Sequence, residues 1–214
     1  MFFYGQSWLV YAIWMFLLGA SGFAMWEQNW PMVFVALATL FSSIVPAMVA
    51  DRYEIRLPVA FFAGMVLFIF AALFLGEAFD FYERYWWWDI ALHGAAAMGF
   101  GLVGVIIALV MFEGDRYAAP AWAISLFAFC LSVTIGAMWE VFEYLMDLSF
   151  GLNMQKSGLM DTMSDLMVDA IGGAIGAVAG LGYLHGRDKH GLAGQIGEFV
   201  RRNRGIFRKA PRED

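Results

Sequence analysis

Carboxylates and one histidine stand where very apolar segments end. Glu140, Glu143 and Asp147 recur within AMWEVFEYLMD, and Asp161, Asp165 and Asp169 within DTMSDLMVD. Both sets have helical spacing, so each follows one helix face. A third segment opens with WDIALH, which puts Asp89 and His93 one turn apart on a common face. A carboxylate at the end of a hydrophobic helix is costly unless it meets water, a cation, a proton or a partner. Several around one imidazole cannot all stay ionised and unpaired in a partly dry site. A divalent cation relieves that repulsion, and one His with several carboxylates suits Mn²⁺, Fe²⁺, Zn²⁺ or, less well, Ca²⁺. The candidate ligands are His93, Glu140, Glu143, Asp169, Asp165 and Asp89, with Asp161 and Gln155 as secondary members. The spacing matches neither the Glu-x-x-His pairs of di-iron bundles nor the His-Glu-x-x-His of zinc proteases. Two readings without metal stand beside this one. The groups can share protons in a hydrogen-bond network, or they can be helix caps and solvated acids, as Asp161 and Asp165 could be at the start of their helix. Lys156, in the loop beside Gln155, is compatible with substrate contact or with plain exposure.

The segments that must position these groups are membrane spans. A chain that is 62% hydrophobic and 15% charged, with a mean hydropathy of +0.67, is not a soluble domain. Uncharged stretches of roughly 20 residues recur, the length a bilayer core requires. They fall at about residues 6–26, 30–50, 57–76, 90–112, 120–148 and 161–186. The expected fold is all-α, a bundle of about six transmembrane helices over residues 1–186, followed by a basic tail at 187–214. MFFYGQSW lacks a positive n-region and reads as the start of the first span rather than a signal peptide. Pro120 suits the first turn of the fifth span. Cys130, the single cysteine, excludes an intramolecular disulfide and reads as a buried thiol; the scattered methionines read as core filler.

Cationic residues set the orientation. Arg52, Arg56, Arg116, Arg187, Lys189, Arg201, Arg202, Arg204, Arg208, Lys209 and Arg212 share one side of a six-span chain, with only Arg84 and Lys156 opposite. Both termini are therefore expected in the cytoplasm, with the acidic/His site facing outward. At about 1.5 Å per residue, His93 is about 29 Å from Phe112, Glu140 about 30 Å from Pro120 and Asp169 about 27 Å from Arg187. Three helices thus carry these groups to one depth, where a site requires His93 within about 10 Å of Glu140 and Asp169. Asp89, Glu143, Asp147, Asp161 and Asp165 lie further out. Gly172, Gly176 and Gly180, and Ala97, Gly101 and Gly104, mark close helix packing. Tyr82, Tyr85, Trp86, Trp87 and Trp88 form an aromatic belt. Leu192, Ile196, Phe199 and Val200 keep helical spacing in the tail, compatible with an amphipathic helix on the anionic inner leaflet or with a simple topology anchor. Nothing supports nucleic-acid binding.

WDIALH, GAMWEVFEY, a Gln in the following loop and DTMSDLMVDAIGGAIG together resemble the YjdF-like family of bacterial inner-membrane proteins, over roughly residues 50–186. A more distant similarity is to VanZ-like proteins, linked with glycopeptide resistance, although Glu143 stands where those usually carry Gln. The resemblance implies a multi-pass protein of the bacterial inner membrane and brings no settled activity. Three functions remain in view. One is an enzyme at the outer leaflet, using metal-bound water on an envelope or lipid-linked substrate. Another is a membrane subunit or scaffold built on a proton-sharing network, for which an oligomer is allowed. A cation or proton transporter is disfavoured, because the inner halves of the spans carry no charge.

Overall fold

Side-chain caps start the first two long helices of this chain, whose computed structural model describes residues 5–112, 119–187 and 190–207. Ser7 Oγ accepts the Leu9 amide at 3.3 Å ahead of α1, Trp8–Trp26. Asn29 Oδ1 accepts the Met32 amide at 3.2 Å ahead of α2, Trp30–Arg52, with Pro31 in its first turn. Such caps satisfy amides that a helix start leaves without partners. α3, Val59–Ala78, is α-helical to Ile69 and widens to a π-helix over Phe70–Ala78. The short α4 covers Phe81–Arg84. α5 spans Trp88–Phe112, α6 Ala121–Phe150, α7 Leu159–Leu184 and α8 Gly191–Arg202. The described residues form an all-helical fold, and six of their helices are long and apolar enough to cross a membrane.

The helices group into two compact units, Met1–Trp88 and Asp89–Asp214. In the first, Val10, Leu17, Ala36, Ala47, Phe62, Val66 and Phe74 form the buried core. The Trp14 indole N–H donates to Ser43 Oγ at 3.0 Å, satisfying a polar pair among apolar helices. The expected aromatic belt is an interlocked cluster: Phe81 meets both Tyr85 and Trp88 edge-on at 4.9 Å, and Trp87 meets Trp88 at 5.4 Å. Gly76 in the π-helical turn lies against the Tyr82 ring, which any side chain there would strike.

In the second unit, small residues set the register. A Cβ on Gly172 would lie 2.5 Å from the Gly94 carbonyl oxygen, and one on Gly176 would lie 2.6 Å from that of Met98. Gly180 is likewise closed off by Val105. The paired residue numbers rise together, so α5 and α7 run parallel. α6 runs antiparallel to both, with Ala128 against Gly104 and Ser132 beside Gly173. Ser132 Oγ donates to the Ala97 carbonyl at 2.7 Å and ties α6 to α5. α8 packs on α7 and buries Ile196 and Phe199, while Arg201 and Arg202 stay exposed.

Several expectations need correction. Cys130 is exposed, not buried: it shares an outward face of α6 with Trp122, Leu126 and Met138, which lie one or two helical turns from it. Many methionines also face outward, among them Met15, Met48, Met138, Met163 and Met167. In a membrane helix the outward face meets hydrocarbon, so apolar character does not separate core from lipid. Pro120 precedes α6 rather than starting its first turn. α7 begins two residues before Asp161, which therefore lies in its first turn rather than at its cap. Arg116, Lys189, Arg208, Lys209 and Arg212 lie outside the described residues.

Crowding at Gly176 makes a direct prediction. Gly176→Val should destabilise the detergent-purified protein by about 1–3 kcal/mol, as overpacking of close-packed sites does. Gly182→Ala, on the same helix with nothing within 4 Å of its Cβ position, should leave the thermal midpoint unchanged or slightly raised. Equal effects of the two substitutions on thermal unfolding would contradict the packing role.

Candidate metal centre

Three helices of the second unit converge on His93. Its Nδ1 faces Asp169 of α7, at 3.3 Å from Oδ1 and 3.4 Å from Oδ2. Its Nε2 faces the other way, 3.7 Å from Glu140 Oε1 on α6 and 3.9 Å from Asp89 Oδ1 one turn earlier on α5. Asp165 completes the group, since Asp89, His93 and Asp165 offer ligand atoms that all lie within 4.8 Å of one another. Exposure is 2% for Asp165 and Asp169, 4% for Glu140 and 8% for His93. His93 thus lies far inside the separation of about 10 Å from Glu140 and Asp169 that a shared site requires.

Asp169 reaches this position because α6 has no side chain at Gly136. A Cβ there would overlap the Asp169 carboxylate. Gly136 precedes Glu140 by one helical turn, so the same face of α6 supplies both the space and the carboxylate. Sequence reading passed over Gly136 and Ser132. The available signal is a pair of small residues, Ser132 and Gly136, at four-residue spacing ahead of Glu140 along one face of α6.

Glu140 differs from its neighbours. Neither of its carboxylate oxygens has a donor in hydrogen-bonding geometry, although both are buried. The Thr162 hydroxyl lies nearby; it accepts the Gln155 side-chain amide at 2.7 Å, which leaves its own O–H available to Glu140. The separations of His93 Nε2 from Glu140 and Asp89 are too long for hydrogen bonds. They match the roughly 3–4 Å between two ligands that each sit about 2.1 Å from one ion. Glu143 is held differently, with Oε1 accepting the Trp139 indole N–H at 2.9 Å. Glu140, Asp89 and His93 are the charges that surround it.

The remaining acids organise the loop between α6 and α7. Asp147 accepts the Met154 amide at 2.7 Å and the Gln155 amide at 2.9 Å. Asp161 accepts the Lys156 amide at 3.1 Å. Gly151, with φ of 66°, ends α6 in the left-handed region that glycine adopts without strain. The structure therefore brings Asp89, His93, Glu140, Asp165 and Asp169 together, keeps Glu143 beside them, and uses Asp147, Asp161 and Gln155 to shape the loop. A loop-building role for Asp147 was not evident from spacing.

With this geometry in view, comparison with known proteins is informative. A family described as "Predicted membrane protein (DUF2238)" matches residues 6–186. The chain belongs to that family. All the DUF2238 positions discussed above, from Asp89 to Asp169, fall inside the matched region. A Thermotoga maritima protein named "Uncharacterized protein" is 29% identical over 104 residues, or 49% of this chain. The matched region spans about half, 53%, of that relative's length. No solved structure matches.

Because two loop amides converge on one carboxylate, Asp147→Ala should cost about 1–3 kcal/mol, the usual loss for hydrogen bonds to a charged group. The loop at residues 151–158 should then be cut faster in limited proteolysis, with the helices still intact by circular dichroism. An unchanged cleavage rate would exclude the loop-anchoring role.

Proposed function

We propose that this protein binds a divalent metal ion at His93, Glu140, Asp89 and Asp165, as a multi-pass protein of the bacterial cytoplasmic membrane. The observation that carries this is Glu140: a buried carboxylate whose oxygens make no hydrogen bond of good geometry, with the Thr162 hydroxyl as a neighbouring donor. Such a group is stabilised by protonation or by a facing cation, and His93 Nε2, which itself lies 3.9 Å from Asp89, is 3.7 Å from it. A proton on His93 Nδ1, donated to Asp169, leaves the Nε2 lone pair for the ion. Carboxylate, imidazole and metal in that order is the usual arrangement for a ligating histidine, and the outer carboxylate orients the ring. Asp169 is then the orienting group, and Glu143 a further ligand or base beside the centre. One imidazole with hard oxygen donors favours Mn²⁺, Fe²⁺ or Zn²⁺ over softer ions.

Both termini are cytoplasmic in this proposal, following the Lys/Arg distribution, so the centre opens at the outer edge of the bilayer. The resemblance to YjdF-like proteins is compatible with that placement. When bound, the ion supplies Lewis acidity toward a polar group of an envelope or lipid-linked substrate. The chain's own part is to hold the ion, orient His93 and exclude bulk water. A second reading draws on the His93–Asp169 contact: a proton-sharing network that fixes helix packing in a non-enzymatic membrane subunit.

Elemental analysis of detergent-purified protein separates the two. The metal proposal expects stoichiometric metal in the wild type, loss in His93→Ala and Glu140→Ala, and affinity lowered about 10–100-fold in Asp169→Asn. A wild type that takes up no metal after incubation with Mn²⁺ or Zn²⁺ would replace the metal proposal with the proton-sharing network.

A further inference from the structure

We infer that the centre is entered from the side, out of the outer leaflet, and that it takes a membrane amphiphile whose polar group donates a hydrogen bond to Glu143 in place of Trp139. This names the substrate class for the site proposed above; it rests on that site and its outward placement, but not on a bound ion.

The acids of α6 and α7 all turn inward. Glu140, Glu143, Asp165 and Asp169 are buried, and Asp147 and Asp161 are half-buried and spent on loop amides. What faces outward at the same level is apolar. Leu145, Leu148 and Phe150 are exposed at the end of α6, and Leu159, Met160 and Met163 at the start of α7. A surface standing in water rarely keeps so continuous an apolar patch. Here it continues the lipid-facing surface of both spans. At about 1.5 Å per residue, Glu140 lies about 15 Å inward of Phe150, and Asp169 about 15 Å inward of Leu159. α6 is 30 residues long, or about 45 Å, close to the roughly 40–45 Å of a bilayer with its headgroups. The centre therefore has lipid beside it.

Approach from water meets the loop at 151–158. Asp147 holds its Met154 and Gln155 amides, Asp161 holds the Lys156 amide, and the Gln155 side chain reaches Thr162. The lateral face differs. Trp139 is 47% exposed, yet its indole N–H donates to Oε1 of buried Glu143 at 2.9 Å. Phe142, also exposed, lies against it with ring centroids 5.3 Å apart. One side chain thus meets lipid on one side and a carboxylate of the site on the other. A buried carboxylate that loses a hydrogen bond is costly, so a group that displaces the indole has to donate in its place. A hydroxyl or an amine does so, while the apolar chains of the amphiphile stay against α6 and α7.

The experiment uses the full chain in phosphatidylcholine nanodiscs, without added metal. Nitroxide labels at Leu148→Cys, Leu159→Cys and, as a mid-span reference, Leu126→Cys are made in a Cys130→Ser background. All three should be relaxed by oxygen more than by a water-soluble nickel chelate. Chelate access at 148 and 159 places those ends in water and overturns lateral entry; shielding from both reagents means a protein contact and overturns it too. A second readout needs no labelled variant. Dioctanoylglycerol, whose one free hydroxyl is its only donor, should bind the wild type about tenfold or more tighter than its O-methyl ether, as a site built to bond a hydroxyl requires. Trp139→Phe frees Glu143 and should bind the alcohol on the order of tenfold tighter still. Equal binding of alcohol and ether, binding of neither, or weaker binding by Trp139→Phe overturns the substrate class. Elemental analysis decides the ion separately, so either reading can fail while the other stands.

Discussion

Backbone contact between α5 and α7 is the constraint on which the rest of the second unit depends. Gly172 and Gly176 bring α7 against the carbonyls of Gly94 and Met98 at separations no side chain permits. Lipid offers no hydrophobic drive for helices to associate, so close approach and interhelical hydrogen bonds do that work. The register that follows places Asp169 one turn before Gly172 or Gly173, next to His93 one residue before Gly94. A parallel pair in any other register would separate the imidazole from its carboxylate.

α6 joins this pair through complementary gaps and donors. Ser132 donates to the Ala97 carbonyl, and Gly136 leaves the space that Asp169 fills. One turn on, the same face presents Glu140. Successive turns of a single helix therefore carry a tether, a space and a buried acid. Polar groups inside membrane bundles ordinarily pair with each other or mark function. Asp147, Asp161, Gln155, Glu143 and Asp169 all have identified partners, whereas Glu140 has only the neighbouring Thr162 hydroxyl and no hydrogen bond of good geometry. That difference separates one carboxylate from the others more clearly than depth does.

The first unit follows a different logic. Its core is aliphatic and aromatic, with the Trp14–Ser43 pair inside it, and its boundary is the interlocked cluster from Phe81 to Trp88. The nine-residue π-helix over Phe70–Ala78 widens the end of α3, where Gly76 accommodates the Tyr82 ring. Nothing in the run of apolar residues from 59 to 78 announces that widening, because α- and π-helices draw on the same side chains.

Hydropathy and length by themselves determined the six long helices to within a few residues at most ends, because bilayer thickness demands about 20 apolar residues whatever they pack against. Helical spacing and rise also put His93, Glu140 and Asp169 at one depth, since rise per residue is a local property. Only the tertiary structure decided which side of each helix faces protein. Cys130 and most methionines were misplaced for this reason: lipid and core are equally apolar, and periodicity cannot tell them apart. Tertiary packing likewise decided that Asp169 meets Nδ1 while Glu140 and Asp89 meet Nε2, and that Gly136 makes the space. Those outcomes depend on rotation and register between helices, which are set by contacts among residues far apart in the chain.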